Sequence, residues 1–493
     1  MNLGNVYKRS WPVLLICAMM LIFAVPALAI LQPGDCNDDG SITMTEVQGA
    51  INMHLGVKAA APCVDADSSG TVTIAELRNA VNGYLGLPVV VAARPVTGLV
   101  WDPIANAAAA GTVVTAYASG SSAPAATATV QAGGSYSITG LSAGVNYQLV
   151  FSRTGYGDVS YYVTPGQSAD TALDKVLMLP TDKLSLTTTI NGYIKNASDN
   201  TGATDLTLLF RQGLGATTGD YFLSRGTNLT PTKGYYSRTG FPAGCYTAEV
   251  VKLVDGMVAA TYGSFTIYSV PGVSTYNNSQ SFTVDTGTTP ATTYRAVLSW
   301  GSAESDLDLH VTGPLNPDDT STTIGSNNTP RFHVDSTEPA YPYGSAVTTS
   351  IPVVPGATTE SYLDQDQANH GVDNGSETIT ILTQQQGVYP VDPPGYPVYR
   401  FYVYNNSGTG LLADSGAKVQ IYRGTTLVQS FAVPYKAGNT WYVCDLNGST
   451  ITPVNTLTTV SPAQTYNLAK AIPGFPLDEL KLFKPVKKSL PAQ

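Results

Sequence analysis

The sequence predicts a mainly β, multidomain protein in which a small all-α module precedes three β-sandwich modules. Charged residues make up only 12% of the 493 positions, against about 25% in typical soluble proteins. Tyrosine is abundant, with 29 residues against 12 phenylalanines and 4 tryptophans. Such a composition favours strands over long solvated helices. The length suits about three to four domains, and two internal repeats indicate where the first of them lie.

The first 29 residues have the features of a signal peptide. Lys8 and Arg9 precede an apolar run over 11–28 that closes on an Ala-x-Ala sequence, which is the pattern of export and cleavage. The alternative is a membrane-spanning anchor, because about 18–20 apolar residues can just cross a bilayer. Pro26 and the Ala-x-Ala ending favour cleavage. We therefore expect a secreted or surface-located mature chain with no membrane span.

Charge and motifs argue against two large classes of function. The net charge is −10, from 35 acidic and 25 basic residues, whereas a nucleic-acid-binding protein needs a basic surface. The sequence has no G-x-S-x-G elbow, H-E-x-x-H pair, Walker loop or dinucleotide-binding G-x-G-x-x-G. We therefore expect no nucleic-acid partner and no enzymatic activity.

The first repeat, with a period of 30 residues, is a pair of acidic loops, each followed by a predicted helix. The stretch GDCNDDGSITMTEV at 34–47 matches CVDADSSGTVTIAEL at 63–77. Each loop has oxygen-bearing side chains at positions 1, 3, 5 and 12, glycine at 6 and an aliphatic residue at 8. A seven-coordinate calcium ion requires this pattern, because glycine permits the sharp turn and the final glutamate binds with both oxygens. We expect calcium to stabilise the fold; a regulated sensor is the alternative.

The helices that follow the loops carry apolar residues four positions apart, which places them on one face. The first set is Val47, Ile51 and Leu55, and the second is Leu77, Val81 and Leu85.

These residues resemble the duplicated loop–helix repeats of dockerins, with EF-hands as the broader relative. The resemblance covers about 33–87 of a predicted module over 30–88, and it implies eight side-chain calcium ligands and two backbone carbonyl ligands. The side chains are Asp35, Asn37, Asp39, Glu46, Asp65, Asp67, Ser69 and Glu76, and the carbonyls are those of Ser41 and Thr71. It also implies a cohesin-like partner at loop positions 10 and 11. Here these are Met44-Thr45 and Ile74-Ala75, unlike the Ser-Thr type pairs of well-known cellulosomal dockerins.

Four cysteines follow the signal segment. Cys36 and Cys63 lie in the same small module, and close pairs in exported proteins are disulfide candidates. We therefore predict a Cys36–Cys63 disulfide. Cys245 and Cys444 lie far apart in strand-like segments, where we expect small buried hydrophobic residues.

The second repeat has an offset of 100 residues. GSYSITGLSAGVNYQLVF at 134–151 matches GYYSRTGFPAGCYTAEVV at 234–251, and the alternation in both indicates half-buried antiparallel strands. Both stretches resemble the carboxypeptidase-regulatory-like fold, a prealbumin-type sandwich with the hallmark G-x-Y-x-x-x-G-L-x-A-G-x-Y. The resemblance implies non-catalytic modules at about 94–181 and 186–288, the second with a longer loop around 211–233.

The pattern changes again near residue 293. The opening YRAVLSWGSAESDLDLHVTGP and the later motifs resemble a YfaP-like family of bacterial secreted β-domains, which implies a third immunoglobulin-like or prealbumin-like sandwich over 293–457. The tail over 458–493 contains several lysines. We expect it to be disordered, with a contact to an anionic surface or sugar as the alternative.

Six acidic residues of this third module form a group in sequence. One interpretation is a second calcium site between a strand and a loop, because hard cations prefer several carboxylates. The other is that they occupy turns and solvent-facing strand positions. The six are Asp306, Asp308, Asp364, Asp366, Asp373 and Glu377.

Together these features predict a secreted, calcium-binding, non-catalytic protein that adheres to a surface, matrix or polysaccharide. Exposed tyrosines supply flat apolar contacts with a polar tip, so an extracellular glycan or surface protein is the expected partner. One alternative is a dockerin-bearing accessory or scaffold component of a polysaccharide-degrading complex. The other is a structural subunit of an envelope or filament.

Overall fold

The computed structural model describes two compact units, one within 34–87 and the other within 93–459. The described residues are 34–37, 41–61, 63–65, 70–87, 93–221, 227–228, 234–278, 280–286, 290–301, 306–314, 331–335, 340–341, 361–365, 375–382, 384, 399–406 and 411–459. The predicted signal peptide and all but the first two residues of the predicted tail lie outside them. The predicted fold class is confirmed, because strands dominate and the only long helices of the described part lie in the small unit.

The small unit contains α1, Met44–His54, and α2, Ile74–Tyr84. Each helix begins with a capping box, in which a threonine hydroxyl accepts the backbone N–H of the glutamate three residues later and the glutamate carboxylate accepts the threonine N–H. The buried core consists of Ala50, Met53, Val64, Val72 and Ala80.

The predicted disulfide is confirmed. Cys36 and Cys63 are bonded, with their Cα atoms 5.1 Å apart, and the adjacent Gly34 N–H donates to the Cys63 carbonyl at 2.7 Å. These bonds tie the start of the first loop to the segment that leads into the second. No helix in the described part of the chain is both long and apolar enough to span a membrane.

The first sandwich spans 96–177 and has two sheets. Its strands are β1 (Val96–Asp102), β2 (Ala107–Ala108), β3 (Val113–Ala118), β4 (Pro124–Thr129), β5 (Ser135–Ile138), β6 (Tyr147–Ser152), β7 (Val159–Val163), β8 (Thr171–Ala172) and β9 (Val176–Leu177). One sheet has the order β2-β1-β5, with β8 and β9 parallel to β1, and the other has the antiparallel order β4-β3-β6-β7. Inward-facing residues of β6, including Leu149 and Phe151, are fully buried between the sheets.

The second sandwich spans 187–284. Its elements are β10 (Thr187–Asn196), β11 (Thr207–Gln212), β12 (Thr227–Asn228), β13 (Tyr235–Pro242), β14 (Gly244–Val254), β15 (Met257–Ser269), α3 (Ser274–Asn277) and β16 (Phe282–Val284). The sheets have the orders β13-β10-β16 and β12-β11-β14-β15. A short 3-10 helix, Thr181–Lys183, lies between the first two sandwiches.

The two copies of the second repeat occupy equivalent places in these sandwiches. Tyr136 and Tyr236 are both buried, on strands that pair antiparallel with the first strand of their sandwich. The glycines two residues earlier, Gly134 and Gly234, both have left-handed φ angles, +87° and +62°. The sequence match therefore corresponds to a shared turn and strand geometry.

The third sandwich spans 294–458. Its strands are β17 (Tyr294–Trp300), β18 (Leu307–Pro314), β19 (Arg331–Val334), β20 (Ala340–Tyr341), β21 (Ser361–Gln365), β22 (Gly375–Ile381), β23 (Tyr399–Asn405), β24 (Lys418–Arg423), β25 (Thr426–Ala432), β26 (Thr440–Asn447) and β27 (Thr450–Thr458). The sheets have the orders β20-β21-β22-β17-β24-β25 and β19-β18-β23-β26-β27. A 3-10 helix, Leu412–Asp414, precedes β24.

The three sandwiches are docked against one another. Leu214 of the second sandwich exchanges backbone hydrogen bonds with Ser160 and Tyr162 of the first, at 2.9 and 2.8 Å, and its side chain belongs to the core cluster of the first sandwich. The Tyr422 hydroxyl of the third sandwich donates to the Thr283 carbonyl of the second at 3.2 Å. The large unit is therefore a packed assembly of three sandwiches.

Candidate functional site

The first loop is closed by the carboxylate at its last position. The Oε2 atom of Glu46 accepts the Thr43 N–H at 2.9 Å, and its Oε1 atom accepts the Cys36 N–H at 2.8 Å. These backbone donors, with that of Thr43 first, lower the pKa of Glu46, since they stabilise the ionised carboxylate. The anionic end of the loop therefore lies against residue 36, next to the buried Asp35 at the first position.

The second loop repeats this arrangement. Thr73 N–H donates to Glu76 Oε2 at 2.8 Å, and Gly70 N–H donates to Asp65 Oδ2 at 2.9 Å. Gly70, at loop position 6, has a φ angle of +82°, so the sharp turn that the repeat predicted is present. Asp65 and Glu76 are both only 6% exposed. Buried carboxylates are costly unless they are paired, hydrogen-bonded or bound to a metal.

The residues present fit a calcium ion in their chemistry and their order. The described loop residues include the first-position Asp35 and Asp65, Asn37, and the last-position Glu46 and Glu76. Three predicted ligands, Asp39, Asp67 and Ser69, lie outside the described residues. Within the described part, no three carboxylate, histidine or cysteine side chains form a group that could hold a metal. Calcium binding therefore stays a prediction.

The six acidic residues of the third sandwich have several different partners. Asp306 Oδ2 accepts the side-chain amide of Asn406 at 2.9 Å, and Glu377 Oε2 accepts the Leu309 N–H at 2.6 Å. Asp308 and Glu377 are buried and therefore do not occupy the solvent-facing positions that one interpretation predicted. Asp366 and Asp373 lie outside the described residues.

Asp364 belongs to a buried network with Arg295. Its Oδ2 atom lies 3.8 Å from the Arg295 Nε and accepts the Thr380 hydroxyl at 2.6 Å, and Arg295 also pairs with the buried Asp285. Burial raises the pKa of Asp364 to about 7, an effect that Arg295 opposes. The Arg295 guanidinium therefore pairs with two buried carboxylates, those of Asp285 and Asp364.

A cavity of about 780 Å³ lies where the three sandwiches meet. We call it the three-sandwich cavity and define it by six of its lining residues. These are Asp174 and Lys175 of the first sandwich, Tyr268 and Tyr276 of the second, and Lys418 and Tyr435 of the third. Sequence reasoning missed this site, because the residues come from segments far apart in the chain. The high tyrosine content was the only available signal.

One carboxylate joins the three sandwiches at this cavity. Lys418 Nζ lies 2.6 Å from Asp174 Oδ2, and the Thr266 hydroxyl donates to the same oxygen. The three residues come from three different sandwiches, and we call them the Asp174 junction. Because both donors use Oδ2, this carboxylate has a structural role in holding the sandwiches together.

The aromatic residues of the cavity are held by hydrogen bonds. Tyr268 and Tyr276 meet edge to face, with ring centroids 6.2 Å apart. The Tyr268 hydroxyl donates to the Lys175 carbonyl. The side-chain amide of Gln280 bonds both the N–H and the carbonyl of Tyr268, at 2.7 and 2.9 Å. This wall is therefore pre-organised.

The other two cysteines of the described part, Cys245 and Cys444, are buried and unbridged, as predicted. The Cys245 thiol donates to the Leu177 carbonyl at 3.4 Å, and burial raises its pKa to about 12. A thiol with so high a pKa is a poor nucleophile at neutral pH. Cys245 therefore packs the contact between the first two sandwiches.

No protein-family model matches this chain, and no curated protein matches it. Among solved structures, the shaft pilin SpaA of Lactobacillus rhamnosus GG is similar at 15% identity, covering 40% of this chain and all of that one. The TIE protein of Bacillus anthracis is similar at 8% identity, covering 71% of this chain and 49% of that one. A minor pilin of Streptococcus agalactiae is similar at 11% identity, covering 39% of this chain and 94% of that one. Each TM-score is 0.15, which is too low to support an inference about function.

Proposed function

We propose that the protein is secreted, binds calcium through its amino-terminal module, and adheres without catalysis to an extracellular surface, matrix or polysaccharide. The observation that carries the binding role is the three-sandwich cavity. Its size lies within the range of about 300–1,000 Å³ typical of ligand sites. Its tyrosines present aromatic rings, and its central carboxylate, Asp174, is engaged by Lys418 and Thr266.

The calcium role is supported by the two loops. In both, the last-position glutamate is ordered by a capping box, and the first-position aspartate is buried. A unit of about 55 residues buries little surface on folding and is only marginally stable, and small natural domains commonly add a metal or a disulfide. The disulfide between Cys36 and Cys63 is present, and calcium would add stability by binding only the folded loops.

Adhesion is tested by asking whether the chain is retained on an extracellular material without chemically converting it. The mature chain, fluorescently labelled, is passed over immobilised polysaccharides, extracellular matrix and whole cells, with and without calcium. We expect saturable retention on at least one material, and mass spectrometry should show that material unchanged. Chemical conversion of the bound material, surviving repurification of the protein, would refute the non-catalytic role. A chain retained on none of these materials would refute adhesion.

A second candidate function is attachment through the amino-terminal module to a cohesin-like partner. The exposed apolar side chains at loop position 10 favour it, because Met44 is 59% and Ile74 68% exposed and burial of apolar surface drives protein–protein association. A pull-down of the full chain with immobilised cohesin domains tests this candidate. Replacement of both Met44 and Ile74 by Asp should abolish capture, whereas no capture of the parent chain would refute it.

A further inference from the structure

We infer that the three-sandwich cavity binds a neutral oligosaccharide. This inference depends on the proposed binding function and names the ligand class and the site. Four observations support it, namely the aromatic lining, the balance of charge, the exposed hydroxyl and amide groups, and the rigidity of the walls.

The aromatic lining suits the C–H faces of sugar rings. Tyr435 is 41% exposed and Tyr276 is partly exposed, and both line the cavity. A tyrosine presents a flat apolar face with a polar tip, which matches a pyranose ring with its apolar face and hydroxyl edge. The edge-to-face contact with Tyr268 holds the Tyr276 ring in place.

The charges of the cavity are balanced, which favours a neutral ligand over an anionic one. Lys418 is paired with Asp174 at 2.6 Å. Burial lowers the pKa of Lys175, and the nearby Asp414 opposes that change. The cavity therefore carries two basic and two acidic side chains. Recognition of an anion requires an excess of positive charge, so a neutral ligand is the better match.

The polar groups of the helix α3 segment suit a ligand that carries hydroxyls. Ser274, Thr275 and Asn278 are exposed and line the cavity, and the Asn278 Oδ1 accepts the Asn191 side-chain amide at 2.7 Å. A hydroxyl and an amide each provide donor and acceptor atoms, as a sugar hydroxyl does. Because these groups lie beside Tyr276, a ring stacked on that tyrosine would place its hydroxyls within reach of them.

Rigid walls reduce the entropic cost of binding. The Asp174 junction fixes the three sandwiches relative to one another, and Gln280 fixes Tyr268. A cavity whose walls are fixed in this way is pre-organised for a ligand of defined shape.

The test is isothermal titration of the full mature chain with cellohexaose, xylohexaose, chitohexaose and the anionic hexagalacturonate. We expect at least one neutral hexamer to bind at least tenfold more tightly than hexagalacturonate. Tyr276→Ala and Tyr435→Ala should each weaken that binding tenfold or more, because one stacking surface is lost. The control is Tyr84→Ala, which removes a tyrosine that is 41% exposed on α2 of the small unit and does not line the cavity. It should leave binding unchanged.

Circular dichroism of each variant verifies its fold, and Tyr435→Ala serves if Tyr276→Ala does not fold. The inference is overturned if both cavity variants bind the sugar as tightly as the parent, if hexagalacturonate binds best, or if no neutral hexamer binds. A chain that is retained on cells or matrix but binds no neutral hexamer overturns this inference alone and leaves the proposed adhesion intact.

Discussion

Removal of the Asp174 carboxylate tests whether the three sandwiches act as one folded unit. Asp174→Asn keeps the shape of the side chain but leaves the Lys418 ammonium, 2.6 Å from Oδ2, without its carboxylate. The two side chains are 13% and 23% exposed, so the pair is neither fully buried nor on the open surface. Exposed pairs contribute roughly 0.2–1 kcal/mol, and breaking a buried one costs about 3–5 kcal/mol. We therefore expect a loss of about 2 kcal/mol in the free energy of unfolding.

The assay is urea denaturation, followed by tyrosine and tryptophan fluorescence, of the parent, Asp174→Asn, Lys418→Met and the double variant. Because both single substitutions remove the same interaction, the double variant should lose about 2 rather than about 4 kcal/mol, a coupling well above the error of additivity, about 0.5 kcal/mol. As a control, Lys183→Met breaks the exposed Asp182–Lys183 pair and should not shift the midpoint measurably. Additive effects of Asp174→Asn and Lys418→Met would refute the docking of the first and third sandwiches through this pair.

Two further predictions concern the second and third sandwiches. Gly234→Ala should destabilise the chain by more than about 4 kcal/mol, a size diagnostic of severe local disruption. A Cβ there would collide with the Ile194 carbonyl. Gly240 has a similar φ of +65° but open space around it, so Gly240→Ala should cost only about 1–2 kcal/mol. Denaturant midpoints compare the two variants, and equal losses of unfolding free energy would contradict the expectation. Because the pKa of Asp364 is raised to about 7, the folded state binds its proton more tightly than the unfolded state. The stability contributed by this proton is present below about pH 4 and is lost as the pH rises through 7. Relative to Asp364→Asn, the parent should therefore lose up to about 4 kcal/mol of unfolding free energy between pH 4 and 7. Thermal unfolding of both proteins at several pH values measures this difference, and parallel pH profiles would contradict the expectation.

The features that local sequence determines were predictable. A helix was predicted after each loop, and the capping boxes that begin α1 and α2 are local because they involve only residues three apart. The matched Gly134 and Gly234 marked equivalent turns, since glycine adopts a left-handed φ at little cost. The predicted disulfide followed from two cysteines in one small exported module.

Features that depend on distant contacts were not predictable. The spacing placed Leu55 and Leu85 on the same face as the other apolar residues of each set, yet they are the C-cap residues of α1 and α2 and are 66% and 58% exposed. Val47 of the first apolar set is buried, together with Ala50 and Met53 of the same helix and Ala80 of α2. The residues of β18 alternate between apolar and polar types, yet the strand is buried on both faces over 307–313. The three-sandwich cavity depends on docking between segments that no local pattern connects.

The central proposal is that two calcium ions stabilise the fold of the amino-terminal module. It is tested most directly by calorimetric titration of calcium into the chelator-treated mature chain with its disulfide intact. Glu46→Gln and Glu76→Gln each remove a last-position carboxylate, which normally binds calcium with both oxygens, while Asp182→Asn removes an exposed carboxylate of the large unit as a control. We predict that each glutamate variant binds one calcium ion fewer than the parent, that the double variant binds two fewer, and that Asp182→Asn matches the parent. A double variant that binds as much calcium as the parent would contradict the claim.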